Sequence, residues 1–106
     1  MDQPEYSLMK RTRVEVEYAP LYAKDSLGLG LTVFSPLCSG VLTGKYYQPG
    51  KGVVIPPSSR LASKEFKRRP DYQSRFIAPI ESAEALRPIA AEVGCTVRSK
   101  ACNAYI

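Results

Sequence analysis

The sequence contains no histidine. That removes Ser-His-Asp and Cys-His nucleophile activation, because the base that would take the proton is missing. Zinc binding of the usual Cys/His kind goes with it, since Cys38, Cys95 and Cys102 stand far apart and form no C-x-x-C pair. No metal site is expected. Nothing approaches the ~20 consecutive apolar residues that a membrane-crossing helix needs, and Met1-Asp2-Gln3-Pro4-Glu5 lacks the basic-then-apolar order of a secretory leader. Free thiols without a leader make a reducing, cytoplasmic setting the expected one. Strong charge is missing too. The net charge of +5 comes without the dense basic stripe of nucleic-acid binders, so neither a nucleic-acid partner nor membrane insertion is expected.

What is present is an ordinary globular balance, 44% hydrophobic against 24% charged, with loops promised by nine prolines and seven glycines. After the basic cluster Lys10–Arg13, the residues Val14, Tyr18, Leu21 and Tyr22 recur at helical spacing. They predict a short helix with Pro20 in or near its first turn, stopped by Asp25-Ser26 and Gly28. Leu27–Phe34 is apolar, glycine-dotted and β-branched towards its end. It predicts a strand buried on both faces, as in the parallel sheets of α/β folds. Gln48–Ser59 reads as a long aperiodic loop. Arg60–Arg75, with bases around Phe66 and Tyr72, reads as a solvated face in preference to a phosphate or nucleic-acid patch. Ser82 is the expected cap of a helix whose core face is Leu86, Ile89, Ala90 and Val93, ended by Gly94. Cys95-Thr96 offers a further cap, although the tail to Ile106 shows only a weak apolar face.

The chemistry concentrates between strand and helix. In Ser35-Pro36-Leu37-Cys38-Ser39-Gly40 the proline stops a strand ladder and the small residues permit close backbone approach. Serine hydroxyls, strand-end N–H groups and the cations Lys45 and Arg60 are the groups a phosphate would use. SGVLTGKY is not a G-x-x-x-x-G-K-[ST] phosphate loop, because the glycine spacing is wrong and Tyr46 replaces the magnesium-binding hydroxyl. On residue types alone, phosphate site and plain basic loop remain open alternatives.

The blocks QPEYSL, VEVEYAPLY, LTVFSPLCSGVLTGKY and IPPSSR together resemble the aldo-keto reductases, most nearly their voltage-gated potassium channel beta-subunit branch. The resemblance runs from Met1 to about Gly94 and implies part of a (β/α)8 TIM barrel, about two to three βα units around strands six and seven. Residues 1–94 would then be a partial reductase domain and 95–106 a divergent tail. It implies NADP(H) as cofactor, with Gln3 on the nicotinamide carboxamide and Phe34 stacked on the nicotinamide ring, where the family usually has tryptophan or tyrosine. Ser35, Pro36, Leu37 and Ser39 would line the pyrophosphate, with Lys45 reaching it and Arg60 at the adenosine end. The implied activity is reduction of aldehydes and ketones by hydride transfer.

The same resemblance places the family's catalytic tyrosine, lysine and aspartate upstream of any block matched here. None of the seven tyrosines inherits the role, so no catalytic residue is expected in this chain. A partial product is therefore expected, poorly stable alone, because a buried parallel strand without neighbours invites aggregation. The alternative to an oxidoreductase piece is a non-catalytic interaction protein, partnered by full-length homologues or a potassium channel alpha subunit, or a nonfunctional truncated product.

Overall fold

The structure is a computed structural model and describes residues 2–23, 25 and 27–103. Ser26, part of the expected helix stop, and positions 104–106 of the expected tail lie outside the described residues. The chain divides into two units, Met1–Pro36 and Leu37–Ile106. Mixed helical and strand content is compatible with the α/β class.

In the first unit Glu5 and Phe34 form a parallel bridge. The Tyr6 N–H donates to the Phe34 carbonyl (3.3 Å) and the Phe34 N–H to the Pro4 carbonyl (3.1 Å). The chain between them passes through a π-helical turn, Arg13–Glu17, and helix α1, Ala19–Tyr22. Parallel neighbours require such a crossover, so a β-α-β path exists, reduced to a single bridge.

The strand expected over Leu27–Phe34 does not form. Only Phe34 is paired, Gly28 sits at φ 55°, and Leu27, Leu29 and Leu31 are exposed to 65%, 50% and 39%. A strand persists through ladder bonds and cover on its faces. Its described backbone partners beyond the bridge are the Ala23 carbonyl, which accepts from Gly28, and the Leu21 carbonyl, which accepts from Leu29. Neither is a strand, and two glycines weaken the segment further. The unit buries little beyond Pro4, Ser7 and Val14.

The second unit holds the larger core. The 3-10 turn Cys38–Thr43 contributes Cys38, Val41 and Leu42, and the turn Arg60–Ala62 contributes Leu61. Tyr46 is fully buried. Between them the segment expected to be an aperiodic loop begins with a hairpin, β1 (Tyr47–Gln48) against β2 (Gly52–Val53). Its turn has Pro49 then Gly50 at φ 84°, with the Lys51 N–H donating to the Gln48 carbonyl at 3.0 Å. This is the residue order of a type II turn.

After the single-turn helix α2 (Lys64–Lys67), a π-turn over Gln73–Ile77 leads into α3 (Ala78–Glu84) and α4 (Leu86–Glu92). Phe76, Ile80 and Ala83 are buried at i, i+4 and i+7, and Ala90 continues that seam seven residues on. The expected core face of α4 is therefore wrong in part: Ala90 is buried, but Ile89 and Val93 are 43% and 59% exposed. Nor does Ser82 cap a helix. It lies inside α3, which starts with Pro79 in its first turn.

Gly94 does end α4, at φ 67°, with Gly94 N–H to the Ala91 carbonyl (3.1 Å) and Cys95 N–H to the Ala90 carbonyl (2.9 Å). Thr96 then caps α5 (Val97–Asn103), its Oγ1 accepting from the Ser99 N–H at 3.1 Å. Val97 and Ala101 are buried, so the segment with the weak apolar pattern is a packed helix. Among the described residues no helix is long and apolar enough to cross a membrane.

Candidate functional site

The residues singled out from the sequence fall in both units. In the first, the Gln3 carboxamide donates to the Val33 carbonyl at 3.5 Å, a long contact on an exposed side chain. The Phe34 backbone is held by Pro4 and Tyr6 while its ring stays 49% exposed. Ser35 follows in the left-handed region, at φ 58°, and half-buried Pro36 closes the unit.

In the second unit the chain leaves Leu37 at φ −100°, ψ 12° and runs through Cys38 (φ 49°), Ser39 (φ 55°) and Gly40 (φ 94°). Left-handed backbone costs a residue bearing a Cβ about 1–2 kcal/mol, so two in succession must be held by their surroundings. Here the Leu37 carbonyl accepts from the N–H groups of Gly40 (3.0 Å) and Leu42 (3.2 Å). The Thr43 hydroxyl donates to the Gly40 carbonyl at 2.7 Å, the Tyr46 hydroxyl reaches the Ser39 carbonyl at 3.4 Å, and the Cys38 side chain is buried. A near-helical residue followed by a left-handed one turns successive N–H groups towards one concavity, a shape suited to anions.

Lys45 lies across this turn. A Cβ built on Gly40 would meet Lys45 Cε at 3.0 Å and Nζ at 3.2 Å. The same ammonium sits 4.9 Å from the centroid of the Tyr46 ring. Glycine at position 40 thus provides both the backbone angle and the room for the lysine. Arg60 is exposed, with its guanidinium over Phe66 at 5.2 Å. The structure therefore brings together Leu37, Ser39 and Lys45 in one unit, and Gln3 and Phe34 in the other. Among the described residues no hydrogen bond or ring contact joins Arg60 to Lys45.

Three supporting residues escaped the sequence reading. Gly44, at φ 77°, presents its carbonyl to Arg87 Nη2 at 3.4 Å. Arg87 is itself paired with Glu84, whose carboxylate raises the guanidinium pKa. Tyr46 was visible only as the wrong residue for a magnesium-binding hydroxyl, yet its buried ring is the surface on which Lys45 rests. The TGK sequence could have suggested Gly44; nothing local marks Arg87. Elsewhere, Arg69 and Arg75 are both paired with Asp71 and packed on the Phe76 ring. The guanidinium of Arg69 holds the Asp71 carboxyl below its ordinary 3.8.

Two plant proteins named "Probable voltage-gated potassium channel subunit beta", from Oryza sativa subsp. japonica and Arabidopsis thaliana, are 44% and 43% identical to the chain over 97 residues, 92% of its length. A counterpart in Schizosaccharomyces pombe, with the same subunit name, is 44% identical over 62 residues, 58% of the chain and 16% of its own length. The chain is related to the potassium channel beta subunits. The resemblance to that branch of the aldo-keto reductases, drawn from the separated blocks, is thus borne out. The chain spans 27% of the length of each plant relative. No family model matches it.

Proposed function

We propose that the chain carries the cofactor-facing segment of an NADP(H)-dependent aldo-keto reductase, built as about two to three βα units of a (β/α)8 barrel over residues 1–94. The observation that carries this reading is Lys45 lying across Gly40, against a left-handed turn at Cys38–Ser39. Within the first unit Phe34 has an exposed ring that would suit stacking, and Gln3 a carboxamide that would suit the nicotinamide amide. On this reading Ser35, Pro36, Leu37 and Ser39 would line the pyrophosphate, Lys45 would reach it, and Arg60 would serve the adenosine end.

Bound NADPH would supply the hydride for reduction of an aldehyde or ketone. The chain's own part is to bind and orient. The general acid that must protonate the developing alkoxide belongs to a tyrosine, lysine and aspartate set outside the matched blocks, so turnover requires that set from elsewhere in a complete barrel. A cytoplasmic setting goes with this reading.

Titration of NADPH fluorescence polarisation with the full chain tests the proposal. Lys45→Ala is expected to weaken binding by about tenfold, the worth of one charge-assisted bond, and Arg60→Ala by a smaller factor. Absence of saturable NADPH binding by the unmutated chain overturns it. A second reading, non-catalytic association with full-length homologues or a channel alpha subunit, is favoured by the relatives' names and by the exposed apolar side chains Leu27, Leu29 and Leu31. Co-purification with such a partner that is indifferent to Lys45→Ala would favour it.

A further inference from the structure

Beside Lys45 lies an open pocket of about 380 Å³ lined by Thr43, Lys45, Thr96 and Arg98. Two chain segments form it, and their approach is fixed one residue earlier on each. A Cβ built on Gly44 would stand 3.6 Å from the Val97 side chain, which is buried, and 3.4 Å from Arg87 Nη2. With Gly44 set against Val97, the next residues, Lys45 and Arg98, both face the pocket. Two cationic residues and two threonines line it, and among the described residues no carboxylate does. Like charges held around one cavity repel until an anion enters. Four arginines elsewhere are paired with carboxylates: Arg11 with Glu15, Arg69 and Arg75 with Asp71, and Arg87 with Glu84.

We infer that the pocket bounded by Thr43, Lys45, Thr96 and Arg98 is a phosphate-binding subsite in which Arg98 is the second cation. It deepens the cofactor reading by adding a residue from α5 to the phosphate end of the loop. The shared chemistry is that of a phosphate or pyrophosphate group, whether free or carried by the dinucleotide. Thr43 already donates to Gly40 and Thr96 accepts from Ser99, so the new bonds to the ligand come chiefly from the two cations.

Calorimetric titration of the full chain with inorganic pyrophosphate, and separately with NADPH, provides the test. Arg98→Ala should weaken pyrophosphate binding by about tenfold, while Arg98→Lys, which keeps the charge, restores most of it. Arg98 is exposed and outside the core, and an unchanged circular dichroism spectrum checks that the alanine variant folds. Pyrophosphate affinity indifferent to Arg98→Ala, or no pyrophosphate binding by the unmutated chain, overturns the inference. NADPH binding that needs Lys45 but not Arg98 also overturns it while leaving the cofactor reading standing. Arg98-dependent pyrophosphate binding without NADPH binding supports the subsite and removes the cofactor reading.

Discussion

Two glycines four positions apart do different work. Gly40 and Gly44 both have positive φ, so a Cβ at either is strained. Only at Gly40 would it also displace Lys45; at Gly44 the nearest atoms are at ordinary or nearly ordinary contact distance. Gly40→Ala and Gly44→Ala should each cost about 1–2 kcal/mol in urea unfolding, whereas pyrophosphate affinity should fall clearly more in Gly40→Ala. Equal losses of affinity would show that the lysine's resting place is irrelevant. Asp71 gives a second residue-level outcome. Its folded pKa is depressed by Arg69 and Arg75, so its contribution is present above the unfolded value and is lost as pH falls through the folded one. As pH falls from about 6 to below the ordinary carboxylate range, the gap in urea midpoint between the unmutated chain and Asp71→Asn should narrow. Residue types drew attention to the loop and left its role open between phosphate site and plain basic loop, whereas Arg87 and Arg98 approach it from segments distant in sequence, which no short motif encodes.

At the scale of elements, proline explains three breaks between consecutive helical segments. Pro20, Pro79 and Pro88 cannot donate to the carbonyls of Val16, Arg75 and Glu84, and helical segments divide at Tyr18, Ile77 and Ala85. Pro88→Ala restores a donor towards Glu84 and should slow amide exchange around positions 85–88, read by hydrogen-exchange mass spectrometry; unchanged exchange there would mean that packing, not proline, sets the break. The Gly94 cap was plain in the sequence because it depends on one residue's conformation. The Leu86–Val93 face was not, because the buried seam is set by Phe76, Ile80 and Ala83 in the preceding segments. Pro49-Gly50 was an overlooked turn signal, hidden inside a stretch too short on periodicity to suggest strands. The Leu27–Phe34 strand failed for the opposite reason: its composition suits burial, and burial needs neighbours.

At the scale of the molecule the two units are unequal. Among the described residues Val14 is the buried aliphatic side chain of the first unit, while the second buries Leu42, Tyr46, Leu61, Phe76 and Ile80. Protection from amide exchange should follow, with Met1–Pro36 exchanging well before the segments around Leu42 and Ile80. Uniform protection across both units would contradict this. Exposed leucines at 27, 29 and 31 also agree with the expectation of a chain that associates readily, which light scattering against concentration would register.

Cys38 gives the candidate loop a clock. Its thiol is 1% exposed, one residue before Ser39, in backbone that must be held left-handed. A thiol reagent can reach it only when that turn opens, so the rate of its labelling measures how often the turn lets go. A bound anion that tightens the turn would slow that rate, and the loop's own sulfur would record occupancy without a dye or an engineered probe.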